Sequence, residues 1–176
     1  MSNIFRMGLI ALLFIPSLVM AHGPSRIKVD KTIEINAPAD KVWSIISEFC
    51  SIKDWNPAVT ACESDNGTQP DSIRTITLEN GQKMKEKLVK HDPATSKYQY
   101  MLVEPNVDAF PVNTHGATIS VTAGDGGKTI VEWKGAFYRS FPGPTPPPEL
   151  SDEAAGKALS EFYTSGLENI KKLAEQ

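Results

Sequence analysis

No Gly-x-Ser-x-Gly elbow, no Walker-type phosphate loop and no zinc-type Cys/His spacing occurs in these 176 residues. Each absence removes a chemistry: elbow-serine hydrolysis, nucleotide phosphate handling, and a structural or catalytic zinc. No metal and no cofactor are expected, and no residue is assigned as catalytic. Lysines and arginines are scattered rather than clustered, so nucleic acid is not an expected partner. Cysteine is scarce: only Cys50 and Cys62 are present. A bridge between them would close a short loop worth about 3 kcal/mol in the chain-entropy model. Two separate thiols are the alternative, because a sequence carries no Cα separation.

Long apolar runs are also missing, apart from Met7 to Met20. That run is short for a bilayer span and contains Pro16. Arg6 before it and Val19-Met20-Ala21 after it complete the pattern of a secretion signal. The expectation is a signal peptide over 1–21, cleavage after Ala21, export to a bacterial periplasm and no membrane span afterwards. What remains, 22–176, is the length of one domain. Losing Arg6 takes the formal net charge from −3 to −4.

What is present is strand-type alternation. Ile27, Val29, Ile33 and Ile35 fall on one face and charged residues on the other, predicting a half-buried strand over 26–35. Lys31 interrupts the apolar face and predicts a bulge or a cavity mouth. Pro38 suits a first helical turn, and Val42, Ile45, Ile46 and Phe49 follow at the spacing of a core-facing helix. Further strands are predicted over 58–64, 72–79, 83–91, 96–103, 114–123 and 128–140, separated by turn signals such as Asn66-Gly67 and Asn80-Gly81. No crossover helix separates them, so the sheet is expected to be antiparallel. The Pro-rich stretch 141–150 reads as an extended connector. A long helix should fill 151–176, capped by Ser151, with Phe162, Gly166, Leu167 and Ile170 on its apolar stripe.

The hairpin 72–91 can be registered from its loop. A three-residue loop Glu79-Asn80-Gly81, with Gly81 left-handed, pairs Ile76 with Met84 and keeps Lys83, Lys85 and Lys87 outside. A one-residue slip would bury the lysines. The chosen register puts Arg74 opposite Glu86 on the apolar face, where a charge is costly unless its partner satisfies it. The pair is either a structural ion pair or a polar anchor inside a cavity. Parity also turns Tyr100, His115, Trp133 and Phe137 inward, with Trp55 and Phe162 placed to close the space. Ala117 and Gly135 leave room among them. Arg74, Met84, Glu86, Tyr100, His115, Trp133, Phe137, Phe162 and Trp55 are thus the candidate lining of a pocket for a small hydrophobic ligand.

The motifs I-N-A-P-x-x-x-V-W at 35–43, W-N-P at 55–57, S-I-R-T-I-T-L-E-N-G at 72–81 and V-E-W at 131–133, with the final helix, resemble the START/Bet v1-like SRPBCC superfamily of polyketide cyclase/dehydrase type. The resemblance implies an α+β helix-grip fold. In it a curved antiparallel sheet of about seven strands wraps a long C-terminal helix, with two short helices between strands 1 and 2. A narrower set is similar to the MxaD-type periplasmic proteins of bacterial methanol oxidation: H-G-P at 22–24, F-Y-R at 137–139, the proline connector and L-S-D-E-A-A at 150–155. That likeness implies a non-catalytic accessory role beside a periplasmic dehydrogenase or cytochrome. The alternative is a cyclase or aromatase acting on a small hydrophobic substrate. In it Glu86 or His115 would be the general base, Arg74 the enolate stabiliser and Tyr100 the proton donor.

Overall fold

The computed structural model describes residues 23–176; the expected signal segment and its cleavage point lie outside them. Strand β1 (Ile27–Ile35) leads through Pro38 into α1 (Ala39–Ile46), a 3-10 turn at Phe49–Ser51 and α2 (Ile52–Trp55). Strands β2 (Val59–Ser64), β3 (Ile73–Leu78), β4 (Lys83–Asp92), β5 (Lys97–Glu104), β6 (Val112–Ala123) and β7 (Thr129–Arg139) follow, and α3 (Asp152–Ala174) closes the chain. The seven strands form one sheet in the order β1-β7-β6-β5-β4-β3-β2, with every neighbouring pair antiparallel. This is the expected helix-grip architecture. No helix among the described residues is long and apolar enough to cross a membrane.

Alternation decides which face is which. Along β7 Val131, Trp133, Gly135 and Phe137 are buried towards α3, while Lys134 and Tyr138 stay exposed. The helix answers with Leu159, Phe162, Tyr163, Gly166, Leu167 and Ile170. Gly166 is what allows the approach. A Cβ there would sit 3.0 Å from Trp55, Trp133 and Asn56 together. The W-N-P corner is pinned to the same helix: Asn56 Nδ2 donates to the Phe162 carbonyl at 3.3 Å, and Asn169 Nδ2 to the Trp55 carbonyl at 3.1 Å. Ser151 caps α3, its hydroxyl accepting from the Ala154 amide at 3.1 Å.

The hairpin register is the one its loop predicts, with Ile76 opposite Met84 and Arg74 opposite Glu86. Gly81 takes φ +79°, a left-handed conformation that favours glycine. Of the two readings of Lys31, a bulge or a cavity mouth, the bulge is absent. Strand β1 pairs without interruption from Ile27 to Ile35 and Lys31 lies opposite Trp133. Its half-exposed stem runs out to water, so one charge on the apolar face did not need a break in the ladder. Register shifts fall elsewhere, between Leu88 and Lys90 among other places.

Lys171 Nζ donates to the Glu34 carbonyl at 2.8 Å, and the Asn36 amide to Glu175 Oε1 at 2.7 Å, so the last turn of α3 closes over the end of edge strand β1. The proline connector is held by Arg139, which donates to Asp152 at 2.9 Å and to the Gly143 carbonyl at 2.6 Å.

Cys50 and Cys62 are bridged, with their Cα atoms 5.5 Å apart. The bond joins the turn before α2 to β2 across 12 residues. Reduction, or Cys50→Ala with Cys62→Ala, is expected to lower stability by about 3 kcal/mol. In a domain of this size that is a fall of roughly 6–12 °C in Tm, read by thermal unfolding with and without reductant.

Candidate functional site

Arg74 and Glu86 meet inside the molecule because the hairpin loop fixes their register. Both side chains are essentially fully buried. Arg74 Nε donates to Glu86 Oε2 at 2.8 Å, and Nη2 adds an ion-pair contact to the same oxygen at 2.7 Å. Nη1 donates to the carbonyl of Phe49. The guanidinium also lies 4.1 Å above the Phe49 ring and 5.0 Å from that of Tyr100. A buried cation is thus held by one carboxylate, one carbonyl and two aromatic faces. Burial pulls the Arg74 group down, but Glu86, with Tyr98 and Tyr100, outweighs it and leaves it above its ordinary range.

A second polar chain lies beside the pair. Trp133 Nε1 donates to the Tyr100 hydroxyl at 2.9 Å. The Tyr163 hydroxyl lies 2.7 Å from His115 Nε2, and the Tyr163 ring stacks on Trp133 at 4.2 Å. His115 Nδ1 is buried without a partner. Burial holds the His115 imidazole below its ordinary value, against the raising effect of Glu86, so it is neutral at pH 7. Burial pushes the Tyr98 hydroxyl up to about 12. It also raises Tyr100 well above its ordinary value, and Tyr163 likewise. All these phenols stay protonated, so they donate and accept hydrogen bonds but carry no charge.

The candidate lining is therefore brought indoors as parity predicts, yet it does not enclose the open space expected of it. Trp55, Trp133 and Phe162 pack edge-on and tilted at 5.3 and 5.7 Å, and Tyr100 lies 5.9 Å from His115. Phe137 and Met84 are buried in the same core. The room left by Gly135 is taken by Tyr163, whose hydroxyl a Cβ at 135 would strike. Tyr163 is the residue that the sequence reading missed. It sits four residues after Leu159 and four before Leu167, so the helical period marks it; its hydroxyl hid it among the polar positions. Phe49 is the other omission: it was read as a packing residue, but its carbonyl and ring both serve Arg74.

Removing one member of the ion pair strands the other. Glu86→Ala should cost about 3–5 kcal/mol in chemical denaturation, and Arg74→Met combined with Glu86→Leu clearly less. The His115 shift gives a pH dependence. The unfolded chain takes up this proton near pH 6.5 and the folded chain only lower. Stability should be complete above that value and decline as pH falls towards the folded one. His115→Gln should remove this part of the decline between pH 7 and 5.5.

Solved structures of other proteins share this fold. A Bacillus cereus protein named XoxI is 25% identical, with TM-score 0.72 over 84% of this chain and 94% of that one. Ginseng major latex-like protein 151 from Panax ginseng is 15% identical, with TM-score 0.66 over 86% of this chain and 99% of that one. Truncated norcoclaurine synthase from Thalictrum flavum is 16% identical, with TM-score 0.65 over 86% and 95%. The last two likenesses carry the fold alone. Among curated proteins there is no match. The family model described as polyketide cyclase/dehydrase and lipid transport matches residues 26–175, from the first strand to the last turn of α3, and this chain belongs to that family.

Proposed function

We propose that this chain is an exported, non-catalytic binding factor, one that takes a small hydrophobic ligand within the helix grip and assists a periplasmic dehydrogenase or its cytochrome partner. One observation carries the non-catalytic part. Glu86, the carboxylate best placed to act as a base, is already committed to Arg74, which is in turn committed to the Phe49 carbonyl. To serve a substrate Glu86 would have to leave Arg74, and stranding a buried guanidinium costs several kcal/mol. The Cys50–Cys62 bridge supports an oxidising compartment. The likeness of residues 137–139 and 150–155 to MxaD-type proteins supports the accessory role. Ligand entry into the grip would require the Tyr163 ring to leave Trp133 and Gly135, because that stack fills the space next to His115.

A second reading, cyclase or aromatase chemistry, has one observation in its favour. His115 is buried and neutral, with a protonated phenol 2.7 Å from Nε2, which is an acid–base arrangement.

Protein isolated from a periplasmic fraction separates the two readings. The accessory reading expects a mature chain beginning at His22, and a dehydrogenase or cytochrome, with or without an apolar small molecule, in native mass spectrometry. A cytoplasmic, uncleaved chain with no companion would refute it. Under the enzyme reading Glu86→Gln and His115→Ala abolish turnover in the protein that remains folded; under the binding reading they change affinity, with Glu86→Gln also lowering stability by stranding Arg74.

A further inference from the structure

A hollow of about 660 Å³ lies outside the grip. It opens on the opposite, outer face of the sheet, over β5, β6 and β7, with β1 at one end. Strand register gives its plan. Lys28 lies beside Ala136, Ala136 beside Gly116, Gly116 beside Met101. All have outward parity, since Val29, Phe137, His115, Tyr100 and Leu102 are the buried neighbours. The floor is thus made of the two smallest side chains of the row. Exposed apolar side chains, Val89, Met101 and Tyr138, form its walls.

Gly116 is not there because packing demands it. Its φ is not in the left-handed range, and a Cβ would meet nothing nearer than the Tyr100 carbonyl at 3.7 Å, an ordinary contact. Gly135, on the inner face, is the contrast, because Tyr163 occupies the place of its side chain. A glycine in a strand interior weakens the strand and marks a bulge, a bend or close approach by another molecule; no register shift falls at Gly116, and the open trough above it fits the last.

The charge at the rim is mainly positive, with Arg26, Lys28 and Lys134 against the single carboxylate of Asp30. Lys134 is neutralised by Glu132 at 2.7 Å and has Asp30 across the strand pair. Among the described residues Arg26 and Lys28, at the β1 end, have no carboxylate within ion-pair distance. A trough with an apolar floor and walls and two uncommitted cations at one end matches a molecule with the same asymmetry. From Lys28 to Met101 is three strand spacings, roughly 14 Å, the length of one small molecule rather than of a protein surface. The geometry points to a second ligand site on the outer face. Its occupant is a soluble amphipathic anion, a flat apolar body over Gly116 and Ala136 with its carboxylate, sulfonate or phosphate against Lys28 and Arg26. This site is independent of the grip proposed above.

The test uses the mature protein and two dyes of one skeleton, anilinonaphthalene sulfonate and uncharged phenylnaphthylamine, titrated by fluorescence. Wild type should bind the sulfonate more tightly than the neutral dye, and the difference should shrink with added salt. Gly116→Leu should weaken both by about tenfold or more by filling the trough, with Tm unchanged or higher. Ala136→Leu fills the same floor from β7 and serves if the first variant folds poorly. Lys28→Gln should weaken the sulfonate alone, by about threefold. Wild type that binds neither dye, or Gly116→Leu and Ala136→Leu proteins that bind both as wild type does, would overturn the site. Dye lost in His115→Ala but retained in Gly116→Leu would put the ligand inside the grip, overturning the outer site and leaving the binding function intact.

Discussion

A guanidinium with no access to water is the constraint around which this molecule is arranged. Arg74 sits at the inner face of β3, and every group that makes its burial tolerable comes from a different part of the chain: Glu86 from β4, the Phe49 carbonyl and ring from the turn before α2, Tyr100 from β5. Misplacing any of these segments leaves the charge uncompensated, so the pair ties the turn before α2, the hairpin and the middle of the sheet into one arrangement. The Cys50–Cys62 bridge reinforces the same point, because Cys50 adjoins Phe49 and Cys62 lies opposite Ile76, two residues from Arg74. Covalent and ionic ties converge on the turn before α2.

The sheet then separates two environments. Inward lies a dense aromatic layer, with Trp133 between Tyr163 and Trp55 and with Tyr100 accepting its indole N–H. Outward lies a shallow trough with a floor of small residues. Alternate residues of β6 illustrate the division: His115 and Ala117 pack within, and Gly116 between them faces water. The grip can yield only by moving side chains that are already well packed, whereas the outer hollow stands open without any rearrangement.

Much of this was legible in the chain itself, for definite reasons. Arg74 and Glu86 could be paired because loop length and the burial of lysines together admit one register. The antiparallel order followed from the want of crossover helices, and the cap at Ser151 from its place before two acidic residues and an apolar stripe. The bridge was not legible, since 12 residues of separation say nothing of the 5.5 Å between Cα atoms. Nor was the filling of the interior. Gly135 reads as vacant room along its own strand, and only the meeting with α3 reveals that Tyr163 takes it. Parity assigns a side chain to a face; the volume left over depends on partners far away in sequence.

The closure of α3 over β1 has a consequence for self-association. Strand β1 is an edge of the sheet, and an uncovered edge offers free N–H and C=O groups to any passing strand. Here Lys171 occupies the Glu34 carbonyl and Glu175 the Asn36 amide. The last helical turn to be made therefore shields the first strand. A chain shortened by those few residues would lose Ala174 and Leu173 from the edge of its core and gain a sticky flank, open to pairing with its own copies.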